Sequence, residues 1–184
     1  MNLALDLLRV GRRTILCTLA LGMFTGCSNA DNFDVPVDAE ATIPAATIID
    51  QLLDPVSFGA LESIDFTQEL KNQGVSKSDV DSVHLDSFAL AVKAPAGQTF
   101  DFIQSISFSV ETSGQPKAVV AKLDSVPKGA TTINLTAEKG LELAPYVVAP
   151  SMRMTTSVQG KRPMQETKVA AHLVFDIDVN VTGR

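Results

Sequence analysis

From about residue 44 to the C-terminus, apolar and polar residues alternate in short runs separated by turn signals, the pattern of half-buried β-strands. In Ser105 to Glu111, Ile106, Phe108 and Val110 fall on one face and Ser105, Ser107, Ser109 and Glu111 on the other. The last run, Val169 to Thr182, sets Ala171, Leu173, Phe175, Ile177, Val179 and Val181 against His172, Val174, Asp176, Asp178 and Asn180. Met152 to Val158 alternates in the same way. Shorter strands are expected at Ser57 to Phe66, Val83 to Lys93, Lys117 to Asp124 and Thr132 to Thr136, at least seven in all. Turn residues punctuate them at Pro95-Ala96-Gly97, Ser113-Gly114, Pro127-Lys128-Gly129, Lys139-Gly140 and Gly160 to Pro163.

Helical signals are short. Gln68 to Gln73 makes little more than one turn before Gly74, Ser76 to Asp79 reads as a capped turn, and Ile48 to Leu53 is another turn candidate. A parallel α/β sheet needs longer helices between its strands, so one-sided alternation predicts an all-β fold: a single antiparallel β-sandwich. In general look it is similar to immunoglobulin-like and other small extracytoplasmic sandwich modules, without the Cys…Trp…Cys signature of true immunoglobulin domains.

The first 26 residues follow another pattern. Arg9, Arg12 and Arg13 precede the apolar run Thr14 to Gly26, 13 residues long. About 20 apolar residues are needed to cross the hydrocarbon core as a helix, so this is the charged region and apolar region of a signal peptide rather than a permanent span. The run ends in Phe24-Thr25-Gly26-Cys27, which resembles the lipobox of bacterial lipoproteins, with Phe24 where Leu is usual. The resemblance covers the leader and these four residues only. It implies cleavage between Gly26 and Cys27, a diacylglycerol on the Cys27 sulfur and an acylated new amino terminus. One acyl chain binds a bilayer marginally and two or three hold nearly permanently, because each buried CH₂ is worth about 0.8 kcal/mol. The alternative is an ordinary cysteine beside a plain secretory cleavage site. Cys17 leaves with the leader in either case.

Two further features bear on location. Ser28 after the cysteine resembles the default signal for transfer to the outer membrane in Gram-negative lipoproteins, and Arg12-Arg13-Thr14-Ile15-Leu16 resembles a minimal twin-arginine export pattern. The chain is therefore divided into a signal peptide (1–26), a lipidated Cys27 with a flexible acidic tether (27–43) and a sandwich domain (44–184). Asp31, Asp34, Asp38, Glu40 and Pro36 carry the tether reading, whereas Phe33, Val35 and Val37 leave an edge strand open.

Composition narrows the function. Without the leader, the 15 basic and 21 acidic residues fall to 12 and 20, a formal charge of −8. A surface of that sign repels phosphates, so nucleic acid is not an expected partner and membrane attachment must come from the lipid. The expected partners are the membrane, through the anchor, and an envelope protein or polysaccharide. No cofactor is expected beyond the covalent lipid.

Candidate chemistry is thin. His172, Asp176 and Asp178 share one face of the last strand with Asn180, but ligands at i and i+2 stand about 7 Å apart, so a metal site there needs groups from another strand. His84 and Asp86 beside Ser82 or Ser87 suggest a triad by composition, yet a triad needs each group within about 3 Å of the next, and neighbours along one strand point the wrong way or lie too far apart. There is no nucleophile elbow, HExxH, P-loop or dinucleotide fingerprint. Phe100, Phe102, Ile103, Phe108 and Tyr146 are expected in the core, with a ligand groove as the other reading. The sequence thus points to an anchored lipoprotein with a binding, adhesion or structural role and no identified catalysis. An anchored hydrolase with an unrecognised site, or a carrier of an apolar ligand, are the alternatives.

Overall fold

The structure, a computed structural model, describes residues 32–47, 52–53 and 56–180. Eight strands form two antiparallel four-stranded sheets, an all-β sandwich: β1 (Asn32–Ile43), β2 (Val80–Ala94), β3 (Ile103–Thr112), β4 (Gln115–Leu123), β5 (Thr132–Asn134), β6 (Thr136–Ala137), β7 (Arg153–Gly160) and β8 (Thr167–Val179). The first sheet has the order β1-β8-β2-β5 and the second β6-β4-β3-β7. Two short helices, α1 (Thr67–Asn72) and α2 (Ala144–Val147), sit in connections.

The alternation read from the sequence is what buries the core. On β8, Val169, Ala171, Leu173, Phe175, Ile177 and Val179 point inward, and on β3, Ile106, Phe108 and Val110 do the same. Phe108 of one sheet meets Phe88 of the other with ring centroids 4.4 Å apart, and Phe58 approaches Phe108 at 5.7 Å. Phe66 packs edge-on against Phe175 at 5.2 Å. The expectation for the aromatics holds at Phe100, Ile103, Phe108 and Tyr146, all buried, while Phe102 is half-buried. On β2, Val83 and Leu85 face inward and then Phe88 and Leu90 do, because a bulge between Leu85 and Ser87 inserts one residue and shifts the parity.

Three expectations need correction. The acidic segment expected as a tether is, from Asn32 onward, a twelve-residue edge strand in continuous register with β8, from Asn32↔Asp178 to Ile43↔Thr167. Val35, Ala39, Ala41 and Ile43 are buried under it, and the acids that suggested solvation occupy its wet face. The sandwich therefore includes residues 32–43, ahead of the boundary expected at 44. Ser57 to Phe66 is not a strand. Its buried residues Phe58, Leu61 and Ile64 recur every third position, which a 3₁₀ turn at Gly59–Glu62 places on one side, where it touches β1 and β7 and fills the seam between the sheets. Thr132 to Thr136 is two strands in different sheets: β5 pairs with β2, β6 pairs with β4, and the buried Leu135 stands at the crossing. Most of the turn candidate Ile48 to Leu53, and Val181 and Thr182 of the last run, lie outside the described residues.

The strand directions define two ends. Asn32, Val80 and Val179 lie at one, with α1, α2 and the Ser113-Gly114 turn, and we call it the base. Ile43, Ala94, Ile103, Gly160 and Thr167 lie at the other, the tip, with the connections 95–102, 124–131 and 161–166.

Candidate functional site

The three candidate ligands of β8 stand on the outer face of the first sheet between β1 and β2, and the register assigns each its neighbours. Asp178 lies between Asn32 and Ser82, Asp176 between Asp34 and His84, and His172 between Asp38 and Ala89. Both oxygens of Asp178 are taken: Asn32 Nδ2 donates to Oδ1 at 3.0 Å and Ser82 Oγ donates to Oδ2 at 2.9 Å. His172 Nδ1 is 2.7 Å from Asp38 Oδ1, an exposed contact across to β1. Asp176 has a buried Oδ1 with no hydrogen-bond partner, and its nearest acidic neighbour in register is Asp34. Asp178 thus ties β8 to both neighbours and His172 ties it to β1, each in its own row, while Asp176 Oδ1 stays unpaired. The three do not converge, and among the described residues no group of three or more His, Cys, Asp or Glu is placed to hold a metal ion.

His84 and Asp86 are separated in role by the β2 bulge. His84 pairs in register with Asp176, whereas Asp86 is the exposed extra residue beside Ser87. No nucleophile, base and orienting acid come together there.

Further side-chain interactions cluster at the base. Asp65 Oδ1 accepts from the Thr67 hydroxyl at 2.5 Å and the Thr67 N–H at 3.0 Å, and Lys77 Nζ lies 3.1 Å away. These bonds, those of Thr67 first, lower the Asp65 carboxyl from its ordinary 3.8 to about 2. Lys77 also donates to the Ala149 carbonyl at 2.6 Å, which joins the 63–79 connection to the one after α2. The expected capping box is present, with Ser76 N donating to Asp79 Oδ2 at 2.8 Å. Tyr146 sits in α2; it is buried and its hydroxyl donates to the Pro116 carbonyl at 2.6 Å, satisfying the one polar atom that burial would strand. The Lys77–Ala149 and Tyr146–Pro116 bonds join residues far apart in sequence, so no local pattern announces them, whereas the Asp65–Thr67 and Ser76–Asp79 contacts are local.

The concavities are surface grooves. One of about 460 Å³ at the base is lined by Glu62, Glu111, Lys117, Ser151 and Arg153. Another of about 350 Å³ at the tip is lined by Gln98, Phe102, Gln104, Lys161, Arg162 and Met164. The space between the sheets is filled by Phe88, Phe108, Phe175, Leu90 and Leu173, all almost completely buried. Among the described residues no helix is long and apolar enough to cross a membrane. Gly26 and Cys27, the cleavage and lipidation positions, lie outside the described residues.

No family model matches the chain, and no curated protein does. Among solved structures it is similar to the decameric BFDV capsid protein, at 9% identity and a TM-score of 0.37, over 79% of this chain and 98% of that one. The 60-mer form of the BFDV capsid protein gives 7% identity and the same 0.37, over 83% and 95%. Neither likeness bears on what this chain does.

Proposed function

We propose that the protein is an outer-membrane lipoprotein whose Cys27, acylated after removal of residues 1–26, anchors a β-sandwich with a binding, adhesion or structural role. The observation that carries this reading is Phe24-Thr25-Gly26-Cys27 at the end of an arginine-led apolar leader, with Ser28 after it. The fold lends support in two ways. β1 begins at Asn32, five residues after Cys27, so at about 3.5 Å per residue an anchored domain would be held within roughly 17 Å of the lipid. Asp178 and His172 of the sheet face bond to the neighbouring strands, and a face stiffened in this way suits a binding, adhesion or structural role.

The test is metabolic labelling with a fatty acid in the native host, comparing Cys27→Ala with the parent. The proposal predicts label on the parent alone and loss of the variant from the outer-membrane fraction. Equal labelling of the two overturns it.

A further inference from the structure

The two ends of the sandwich differ in charge. At the base stand Asp65, Asp79, Asp81, Glu142 and Asp178, together with Glu62 and Glu111, and these outnumber the base cations Lys71, Lys77, Lys117 and Arg153. At the tip, Lys93 ends β2, Lys168 begins β8, and Lys128 and Lys161 lie in the adjoining connections. All four lysines are exposed, and among the described residues none forms an ion pair. Of the described tip acids, Asp124 pairs with Lys122 at 3.2 Å, Asp101 lines both grooves and accepts the Gly129 N–H at 2.7 Å, and Glu166 is exposed, so the four lysines outnumber the acids left without a cation. Asp50 and Asp54 of the neighbouring connection lie outside the described residues.

Between Lys161 and Lys128 run two open grooves, of about 350 and 460 Å³, which share Asp101 and Gln104. Half-buried Phe102 and Met164, 87% exposed, give the first an apolar ledge. A single anion would want convergent donors in a closed pocket. Separated ammonium groups on flexible stems, over shallow grooves with a few amide side chains and an apolar ledge, suit instead an extended chain that carries spaced anionic groups. The acidic base does not cancel this attraction. β1 alone spans roughly 40 Å at about 3.4 Å per residue, several times the Debye length of about 8 Å at physiological ionic strength.

We propose that the tip is a docking surface for a carboxylate-bearing polysaccharide, held by Lys161 and Lys128, which line the two adjoining grooves, with Lys93 and Lys168 on the strand ends of the other sheet. The direction in which the tip points rests on the anchor reading, since chain entry at Asn32 puts the base nearest the lipid and the tip outward; the binding itself does not.

The experiment uses the full chain as Cys27→Ala, so that binding is measured without the acyl group and its outcome is separate from that of fatty-acid labelling. Polygalacturonate is the probe, with neutral dextran and anionic phosphatidylglycerol vesicles in parallel. Lys128→Glu/Lys161→Glu is expected to weaken polygalacturonate binding about ten-fold or more, as is raising salt from about 50 to about 300 mM, whereas Lys71→Glu/Lys117→Glu at the base leaves it unchanged. Circular dichroism confirms that both variants fold. Equal loss in the tip and base variants, binding to dextran as strong as to polygalacturonate, no binding to polygalacturonate, or preferential binding to the vesicles overturns the proposal.

Discussion

Replacing Phe108 by Ala tests the packing on which the sandwich depends. Phe108 lies at the centre of β3 with no exposed surface, against Phe88 from the opposite sheet at 4.4 Å and Phe58 from the seam at 5.7 Å. Truncating a buried Phe to Ala typically costs about 3 to 5 kcal/mol through lost transfer energy and the cavity left behind. Two ring contacts, each worth about 0.5 to 1.5 kcal/mol beyond area, place this site in the upper half of that range, near 4 to 5 kcal/mol. Phe88 and Phe58 belong to different elements, and neither can move into the void without leaving its own strand or turn. Against a total stability of about 5 to 15 kcal/mol, such a loss removes a large share without necessarily unfolding the domain. In urea titration followed by circular dichroism, with a slope of about 2 kcal/mol/M, the midpoint should fall by about 2 M at unchanged slope. Phe102→Ala is the control: that ring is half-buried and 6.2 Å from Phe100, so its loss should cost at most about half as much. A Phe108→Ala loss under about 1.5 kcal/mol, or one no larger than that of Phe102→Ala, would refute the claim that these rings lock the two sheets together.

Other predictions follow from single contacts. Gly160→Ala should destabilise by about 1 to 3 kcal/mol in the same titration, because a Cβ there would stand 2.3 Å from the Phe102 carbonyl oxygen and the β3–β7 backbones would have to part. Tyr146→Phe removes the hydroxyl that donates to Pro116 and should cost about 0.5 to 1.5 kcal/mol, and an unchanged midpoint would show that the bond contributes nothing. For Asp65 the folded carboxyl titrates near 2 and the unfolded one near 3.8, so its contribution is complete above about pH 4 to 5 and is lost as pH falls through 2. The stability difference between parent and Asp65→Asn should therefore shrink as pH is lowered over that window, and a difference that is constant from pH 5 to pH 2 would contradict the assignment.

Where burial has a period of two over a long run, the sequence reports the fold directly, as at Val169 to Val179; on β3 Ile106, Phe108 and Val110 follow it too, although Ser109 between them is also buried. Reading fails where a second constraint overrides that period. β1 carries a correct alternation of Val35, Ala39, Ala41 and Ile43, but small residues and acids weaken its apolar signal, and its stability comes from twelve register partners on a strand more than a hundred residues away. The bulge in β2 and the sheet change at Leu135 each depend on one residue, below what periodicity resolves. At the candidate site, composition marked His172, Asp176 and Asp178 as a group. Only the register shows that they face Asp38, Asp34 and Asn32 in separate rows, and that two of the three are occupied by those neighbours or by Ser82.

The most direct measurement of the anchor is the mass of the N-terminal peptide from protein extracted from its native host membrane. The account predicts a chain that starts at Cys27, heavier than the bare peptide by a thioether-linked diacylglycerol and an amide-linked fatty acid. A chain that retains residues 1–26, or one that starts at Cys27 with an unmodified thiol, would contradict it.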